Sequence, residues 1–363
     1  MIKVLVTGGA GFIGIALVNK ILRESDWSVV VVDKLTYASS FEALAAVDYP
    51  SRFAFERADI VDAAGMHRIF AAHRPDTVIN LAAESHVDRS IDEPAPFIDT
   101  NVRGTGVLLV VSLAYWRSLT GSGRKKFRFH HVSTDEVFGS AGGERSFRET
   151  SRFRPSSPYS ASKAAADHLV SAWNRTYGLP TIITRSSNNF GPYQIPEKLI
   201  PLTITRALQG KSIPVYGNGL QARDWLFVED HVDALLAVHA RGRVGRSYNV
   251  ASGKEMRNID VVVAVCGELD RIVTRSTLRP HAKLITHVDD RPGHDARYAI
   301  STKRIKDELS WQPRTSFDAA LTRTVAWYID KTDWWQRRLR EGAHERRGLG
   351  WQSVPVGAHR ERS

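Results

Sequence analysis

Between an apolar run, Lys3–Thr7, and a helical pattern over residues 11–22, the chain reads Thr7-Gly8-Gly9-Ala10-Gly11-Phe12-Ile13-Gly14. This satisfies G-x-G-x-x-G at Gly9, Gly11 and Gly14, and a G-x-x-G-x-x-G spacing at Gly8, Gly11 and Gly14. Glycine serves three needs at such a place: a tight turn, close backbone approach to a pyrophosphate, and close packing of helix on strand. The helix N-terminus then turns unpaired N–H groups toward phosphate. Glycines alone would say little, but here they sit in the strand–turn–helix setting that the chemistry demands.

The pattern continues. Ser28–Asp33, 53–56, 76–80, 127–134 and Thr181–Ser186 are short Val/Ile/Phe runs, separated by helical patterns around 66–72, 98–116 and 159–177. Unbroken apolar strands mean that both sheet faces are covered. Repeated β-α alternation predicts an α/β fold of Rossmann type, a doubly wound parallel sheet over residues 1–190, to which some later segments return. After Asn189 prolines cluster and segments shorten. Helical patterns at 257–269 and 317–328 and a strand near 283–288 predict a smaller α+β substrate lobe over 191–336. At 363 residues the chain exceeds the roughly 250–300 at which one core stops growing, which agrees with two lobes. Residues 337–363, Gly- and Arg-rich without periodicity, are expected to form a mobile tail.

Charge excludes little. Lys and Arg number 50 against 39 Asp and Glu, yet seven Arg and three Glu fall within 337–363 and the remaining excess is dispersed. No basic run interleaved with aromatics marks a nucleic-acid site, and none is expected. Cys266 is the only cysteine, in an apolar stretch, so it is read as a buried inert thiol and an oxidising compartment gains no support. The apolar start is broken by the glycines and followed by no small-residue cleavage site, and no stretch is read as a membrane span. A cytoplasmic chain without membrane contact or bound metal is expected.

Asp33 ends the second strand, 19 residues beyond Gly14. A carboxylate there accepts ribose hydroxyls and repels a 2′-phosphate, so NAD is expected over NADP. By position alone, Asp59-Ile60 would hold the adenine edge, and Leu81-Ala82-Ala83 would line the dinucleotide. Tyr159 and Lys163 stand four apart on one helix face. Cationic Lys163 is expected to lower the pKa of Tyr159, fitting it for acid–base work at a carbinol. Ser133-Thr134-Asp135-Glu136 ends the preceding strand. A hydride transfer needs Tyr159 and a hydroxyl such as Thr134, and leaves two carboxyls over. An elimination needs such a pair, one protonated and one ionised, and neighbouring carboxyls push each other's pKa values apart. A solvated acidic loop remains the open alternative at this point.

Residues 8–14 (GGAGFIG), 33–37 (DKLTY), 82–91 (AAESHVDRSI), 133–139 (STDEVFG), 155–164 (PSSPYSASKA), 185–201 (RSSNNFGPYQIPEKLIP), 223–231 (RDWLFVEDH) and 290–300 (DRPGHDARYAI) carry a resemblance. Together the sequence resembles the nucleotide-sugar branch of the extended short-chain dehydrogenase/reductase family, and within it the dTDP-glucose 4,6-dehydratases. The resemblance implies an NAD-dependent hydro-lyase acting on dTDP-glucose, and a homodimer built through helices, here 98–116 and 159–177. Thr134, Tyr159 and Lys163 would serve oxidation at C4, with Asp135 as acid and Glu136 as base of water loss. Phe12, Ile13, Lys34, Thr36, Asn101, Ser133 and Asn189 would join the cofactor contacts named above. Ser85, Asn189, Lys198, Leu199, Arg206, Pro214, Tyr216, Arg223, Asn258, Arg291, His294 and Tyr298 would hold the nucleotide sugar. Arg forks suit diphosphate oxygens, and Tyr216 could stack on a pyrimidine.

Phe138, Phe190 and Phe227 stand where that family commonly has Tyr, removing hydroxyls expected near the cleft. Ile15 replaces a small polar residue, and residues 251–254 (ASGK) depart from a glycine-rich loop. On the same scaffold a nucleotide-sugar 4-epimerase would need Tyr159 and Lys163 but not the carboxyl pair. A sugar-acid decarboxylase, or a non-catalytic dinucleotide-binding regulator, would find still less use for the set.

Overall fold

Six parallel strands are laid down in the order the sequence implies: β1 (Lys3–Thr7), β2 (Ser28–Asp33), β3 (Phe53–Arg57), β4 (Thr77–Asn80), β5 (Arg128–Thr134) and β6 (Thr181–Ser186). The computed structural model describes residues 2–45, 49–143 and 145–340. Across the sheet the strands run β6-β5-β4-β1-β2-β3, and Ser247–Val250, from much later in the chain, adds beside β6. Alternate residues of each strand feed opposite faces, as pleating requires. Val4, Val6, Val29 and Val31 pack with Ile15 and Leu17 of the helix Phe12–Glu24 on one face. Leu5, Val32, Val78 and Phe129 pack with Ile69, Leu108 and Leu109 on the other. Both faces are thereby covered, which is why the strands read as continuous apolar runs.

The carboxyl ends of β1 and β4 lie side by side, Thr7 opposite Asn80. There the chain order reverses, leaving the crevice where open α/β sheets bind ligands. A Cβ on Gly8, whose φ is +69°, would lie 2.6 Å from Ala82 N, and one on Gly14 would lie 2.6 Å from Gly9 Cα. Nothing larger than hydrogen fits where the turn crosses β4 and meets its own helix.

Beyond Asn189 a second set of elements gathers around its own apolar cluster, which includes Ile200, Ile204, Trp225, Val261, Val265, Cys266, Leu321 and Tyr328. It holds one sheet of Asn188–Phe190, Ala222–Phe227 and Glu255–Arg257, and a parallel pair, Ile213–Tyr216 with Ile285–Val288. Cys266 is buried and its thiol is pushed up to about 12 by burial. Phe190 and Phe227 lie inside this cluster and Phe138 in a smaller one with Val137, Ala164 and Ile300. The expectation that these three phenylalanines border the cleft is therefore corrected, since they pack as core where a hydroxyl would need a buried partner. Ile15 is likewise core.

Two further expectations change. The helix over 98–116 is longer, Ala95–Ser118, and widens into a π-helical stretch at Ile98–Gly104. Such widened turns redirect side chains toward functional sites, and this one aims Thr100 and Asn101 at the crevice wall. By length and apolarity this helix could cross a membrane, contrary to the sequence reading, yet over half of its apolar window is buried against the protein. At the far end, Thr332–Arg340 is a helix with Arg338 buried and paired to Glu42, so a helix runs past residue 337. Residues 341–363, expected to be mobile, lie outside the described residues.

Gly14→Ala is expected to lose about 1–3 kcal/mol of stability through backbone overpacking. Gly267→Ala, on the exposed face of Asn258–Ile272 with open space at its Cβ, should gain about 0.5–1 kcal/mol. Urea midpoints of the two variants check both signs.

Candidate active site

A cleft of about 300 Å³ follows the carboxyl edge of the sheet. Gly8, Gly11, Phe12, Ile13, Gly14, Asp33, Lys34, Thr36, Asp59, Ile60, Leu81, Ala82, Ala83 and Asn189 line it, with Ser133, Thr134, Asp135, Glu136, Tyr159 and Lys163 at one end. Asp33 is held rigidly: Oδ2 accepts from Ala10 N at 3.0 Å, and Oδ1 accepts from Leu35 N at 2.8 Å and Ser39 Oγ at 2.9 Å. Lys34 lies between Asp59 (3.5 Å) and Glu84 (3.8 Å) and donates to Thr100 at 3.3 Å. Its charge is thus spent on two carboxylates rather than offered to a 2′-phosphate. The glycine cradle and three acidic groups at this end suit a dinucleotide with a free ribose.

Asn101 is the exception among the expected cofactor residues. Its amide is consumed by Glu84 N, Glu84 O and Ser162 Oγ, so it braces the wall from behind rather than lining the cleft. Thr100, Glu84, Ser39 and Gln194 line the cleft and were missed. Thr100 stands in the π-helical stretch, and nothing local in the sequence announces it.

A second cavity of about 220 Å³ opens from the first, sharing Ser85, Asn188, Lys198 and Glu136. Leu199, Arg206, Pro214, Tyr216, Arg223, Asn258, Arg291, His294 and Tyr298 line it, so the fold brings these candidates together, whereas Asn189 lines the first cavity only. Asn258 Oδ1, Asn188 Oδ1, Trp225 Nε1 and Arg291 Nε are buried there without a protein partner. Such orphaned polar atoms are costly unless a ligand or water meets them, which fits a polar occupant. Two departures stand out. Arg291 is ion-paired to Asp88, whose other oxygen accepts from Tyr216 at 2.8 Å, so Asp88 was overlooked as an acid within this cavity. Arg223 is spread over the Tyr298 ring at 4.1 Å and donates to Ala222 O and Asp295 O, so it is fixed by the protein rather than waiting as a free fork. The unusual 251–254 loop lines neither cavity: Ser252 and Gly253 donate to Asp224, which ties it down.

The catalytic end is built by two caps. Ser157 and Ser160 form a capping box that starts the helix Pro158–Tyr177, with Pro158 in its first turn. This places Tyr159 and Lys163 over the end of β5. Thr134 caps the single turn Asp135–Phe138 by accepting from Glu136 N at 3.3 Å, which turns both carboxyls inward.

Burial then sorts the titrating groups. Asp135 is pushed well above the usual carboxyl range, first by burial and then by Glu136 and Asp224. Glu136 is also raised by burial, but Arg291, Arg223 and Lys198 all pull it back. Arg223 lowers both, but Arg291 and Lys198 act on Glu136 alone, which makes Glu136 the better anion and Asp135 the member that holds its proton more tightly. The expected effect of Lys163 on Tyr159 is corrected. Lys163 donates to Val132 O at 2.8 Å, and burial lowers it to about 8. The Tyr159 phenol is raised, by burial first and Glu136 second, with a hydrogen bond from Thr134 opposing. Desolvating a phenolate beside a carboxylate outweighs a lysine that is itself desolvated. Among the described residues no group of three or more His, Cys, Asp or Glu is placed to hold a metal ion.

A protonated carboxyl should accordingly persist at neutral pH, visible as a C=O infrared band. Asp135→Asn should abolish it and Glu136→Gln should keep it, and the reverse pattern would invert the assignment.

The scaffold and site have known counterparts. A family model described as GDP-mannose 4,6 dehydratase matches residues 5–324. The Shigella flexneri dTDP-glucose 4,6-dehydratase is 54% identical over 341 residues, 92% of this chain and 94% of that one. A Streptomyces venezuelae dTDP-glucose 4,6-dehydratase solved with NAD and a dTDP ligand superposes with a TM-score of 0.84 at 40% identity, covering 93% of this chain and all of that one. The Thermotoga maritima UDP-glucose 4-epimerase shares the fold (TM-score 0.79, covering 91% of this chain and all of that one) but only 28% identity. Fold likeness thus spans two reactions, while sequence likeness of this depth, nearly end to end, follows one of them, and the chain belongs to the dTDP-glucose 4,6-dehydratase family.

Proposed function

We propose that this chain converts dTDP-glucose to dTDP-4-keto-6-deoxyglucose and water. The observation that carries it is the adjacent carboxyl pair lining the cleft, Asp135 raised chiefly by burial and Glu136, at the junction of both cavities, pulled back by Arg291 and Lys198. Oxidation alone has no use for such a pair, whereas a β-elimination needs both members. The C5 hydrogen of a glucose ring is not acidic until C4 is a ketone. The glycine turn, Asp33 and the walls at 81–83 would hold NAD, which would supply the hydride acceptor for C4 and the hydride donor for C6.

The protein's own groups do the rest. Tyr159, hydrogen-bonded to Thr134 and adjoining Lys163, handles the C4 hydroxyl proton. Glu136 takes the C5 proton once it lies α to the ketone, exchanges it with solvent and returns a proton to C5 as C6 is reduced. Asp135 gives its proton to the departing C6 hydroxyl, which leaves as water. Tyr298, which donates to Asp295 at 2.8 Å and reaches Glu136 at 3.4 Å, helps keep Glu136 aimed. In the second cavity, Asn258 and Trp225 offer an acceptor and a donor to the base, and Arg206, Arg223 and Lys198 supply positive charge for the diphosphate. An epimerase would return its hydride to C4 and leave both carboxyls idle.

We also infer a cytoplasmic homodimer. Ile98 and Val110 are 56% and 51% exposed on the long apolar helix, and Tyr177 is exposed on the Tyr–Lys helix, together a face that a second copy would cover. Sedimentation at micromolar concentration should show a dimer that Val110→Glu weakens.

Substrate carrying deuterium at C4 should give product carrying it at C6, with one solvent hydrogen at C5. Deuterium returned to C4 or lost to free cofactor would refute the proposal. Glu136→Gln should nearly stop C5 exchange while C4 oxidation persists, and Asp135→Asn should slow water loss more than exchange, each by about 10²–10⁴-fold.

A further inference from the structure

Tyr159, Lys163 and Asp167 follow at four-residue steps on one face of the helix Pro158–Tyr177, and all three are buried. Only the first two touch the cleft. Asp167 lies one turn deeper and is 1% exposed. Its Oδ2 accepts from Arg185 Nε at 2.7 Å, and its Oδ1 accepts no hydrogen bond, with His131 Nε2 3.6 Å away. The charged and titratable groups around Lys163 are few. Its own helix presents Tyr159 and Asp167, β5 presents His131 with His130 behind it, and β6 presents Arg185. His131 is neutral, forced well down by burial and by Lys163, His130 and Arg185, and its Nδ1 meets the Asn80 amide at 3.1 Å. The turn after β5 adds Asp135 and Glu136 at the same end of the cleft, but Asp167 is the anion whose charge raises Lys163 and the one Arg185 holds.

A plain ion pair with Arg185 would explain half of this. It does not explain why the carboxylate also stands one helical turn from a lysine whose ammonium has one hydrogen bond, to Val132 O. A lysine so enclosed would shed its proton without a counter-charge. We propose that Asp167 is a positioning residue that keeps Lys163 charged, with Arg185 clamping the carboxylate beneath it. Asp167 opposes the desolvation that lowers Lys163 to about 8, and so sets how far into alkaline pH the Tyr159–Lys163 pair works. The clamp is in turn held by the aromatic faces of Phe153 and Phe138, 4.9 and 5.5 Å from the Arg185 guanidinium.

The inference rests on the proposed dehydratase reaction, and two readouts separate the claims. The first is the pH profile of dTDP-glucose turnover by the full-length holoenzyme. Asp167→Asn should lose about tenfold at about pH 8 and regain most of the parental rate below about pH 7, because Lys163 loses its proton earlier. Asp167→Glu should restore the profile. Equal loss at every pH in Asp167→Asn overturns the proposal.

The second readout is folding alone. Lys163 is lowered in the folded chain, so the unfolded chain binds more protons between about pH 8 and its ordinary 10.5. Over that window the parent should gain stability relative to Lys163→Met, and with Asp167→Asn in both partners the gain should begin at lower pH. An unchanged onset overturns the role of Asp167 whatever the chain catalyses, whereas a parent without turnover but with a shifted onset overturns only the reaction.

Discussion

The crossing of the glycine turn over the end of β4 is the contact on which the site depends. Backbone atoms of residues 8, 9, 14, 81 and 82 approach so closely there that no side chain fits between them. That closeness brings the helix N-terminus to the edge of the sheet. The crevice at the β1/β4 boundary then points toward the ends of β5 and β6, where the reactive side chains stand. A looser crossing would leave the same residues in the chain but separate the cofactor wall from Tyr159 and Glu136.

Within that frame, burial is the dominant electrostatic influence. It raises Asp135, Glu136 and Tyr159 and lowers Lys163, and the local charges then decide among them. Arg223 pulls on both carboxyls, whereas Arg291 and Lys198 pull on Glu136 alone, so two adjacent carboxyls of nearly equal intrinsic acidity are pushed apart. Tyr159 shows the opposite case, where enclosure and a nearby anion prevail over the lysine one turn away.

The two cavities share Glu136, Lys198, Ser85 and Asn188 and so meet beside the carboxyl pair. Lobe position decides this. The β5 turn supplies Glu136, and the proline-rich link before Leu199 supplies Lys198 from the other lobe. Asp88, from a short helix after β4, reaches Arg291 and Tyr216 across that same gap.

Much of this was legible in the residues. Glycine spacing, unbroken apolar strands and Asp33 specify the sheet and its crevice because they are local: a turn without side chains, a period of two, a carboxylate ending a strand. The pairing of Tyr159 with Lys163 is also local, within one helical turn. Other features depend on residues brought together from far along the chain. Asn101 turns inward, Arg291 is neutralised by Asp88, and Phe138, Phe190 and Phe227 are core rather than cleft. The direction in which Tyr159 is shifted belongs here too. Sequence determines which groups can ionise or pack; only the folded environment sets how much water each retains and which charge it meets, and in a low-dielectric cleft those two quantities decide the outcome.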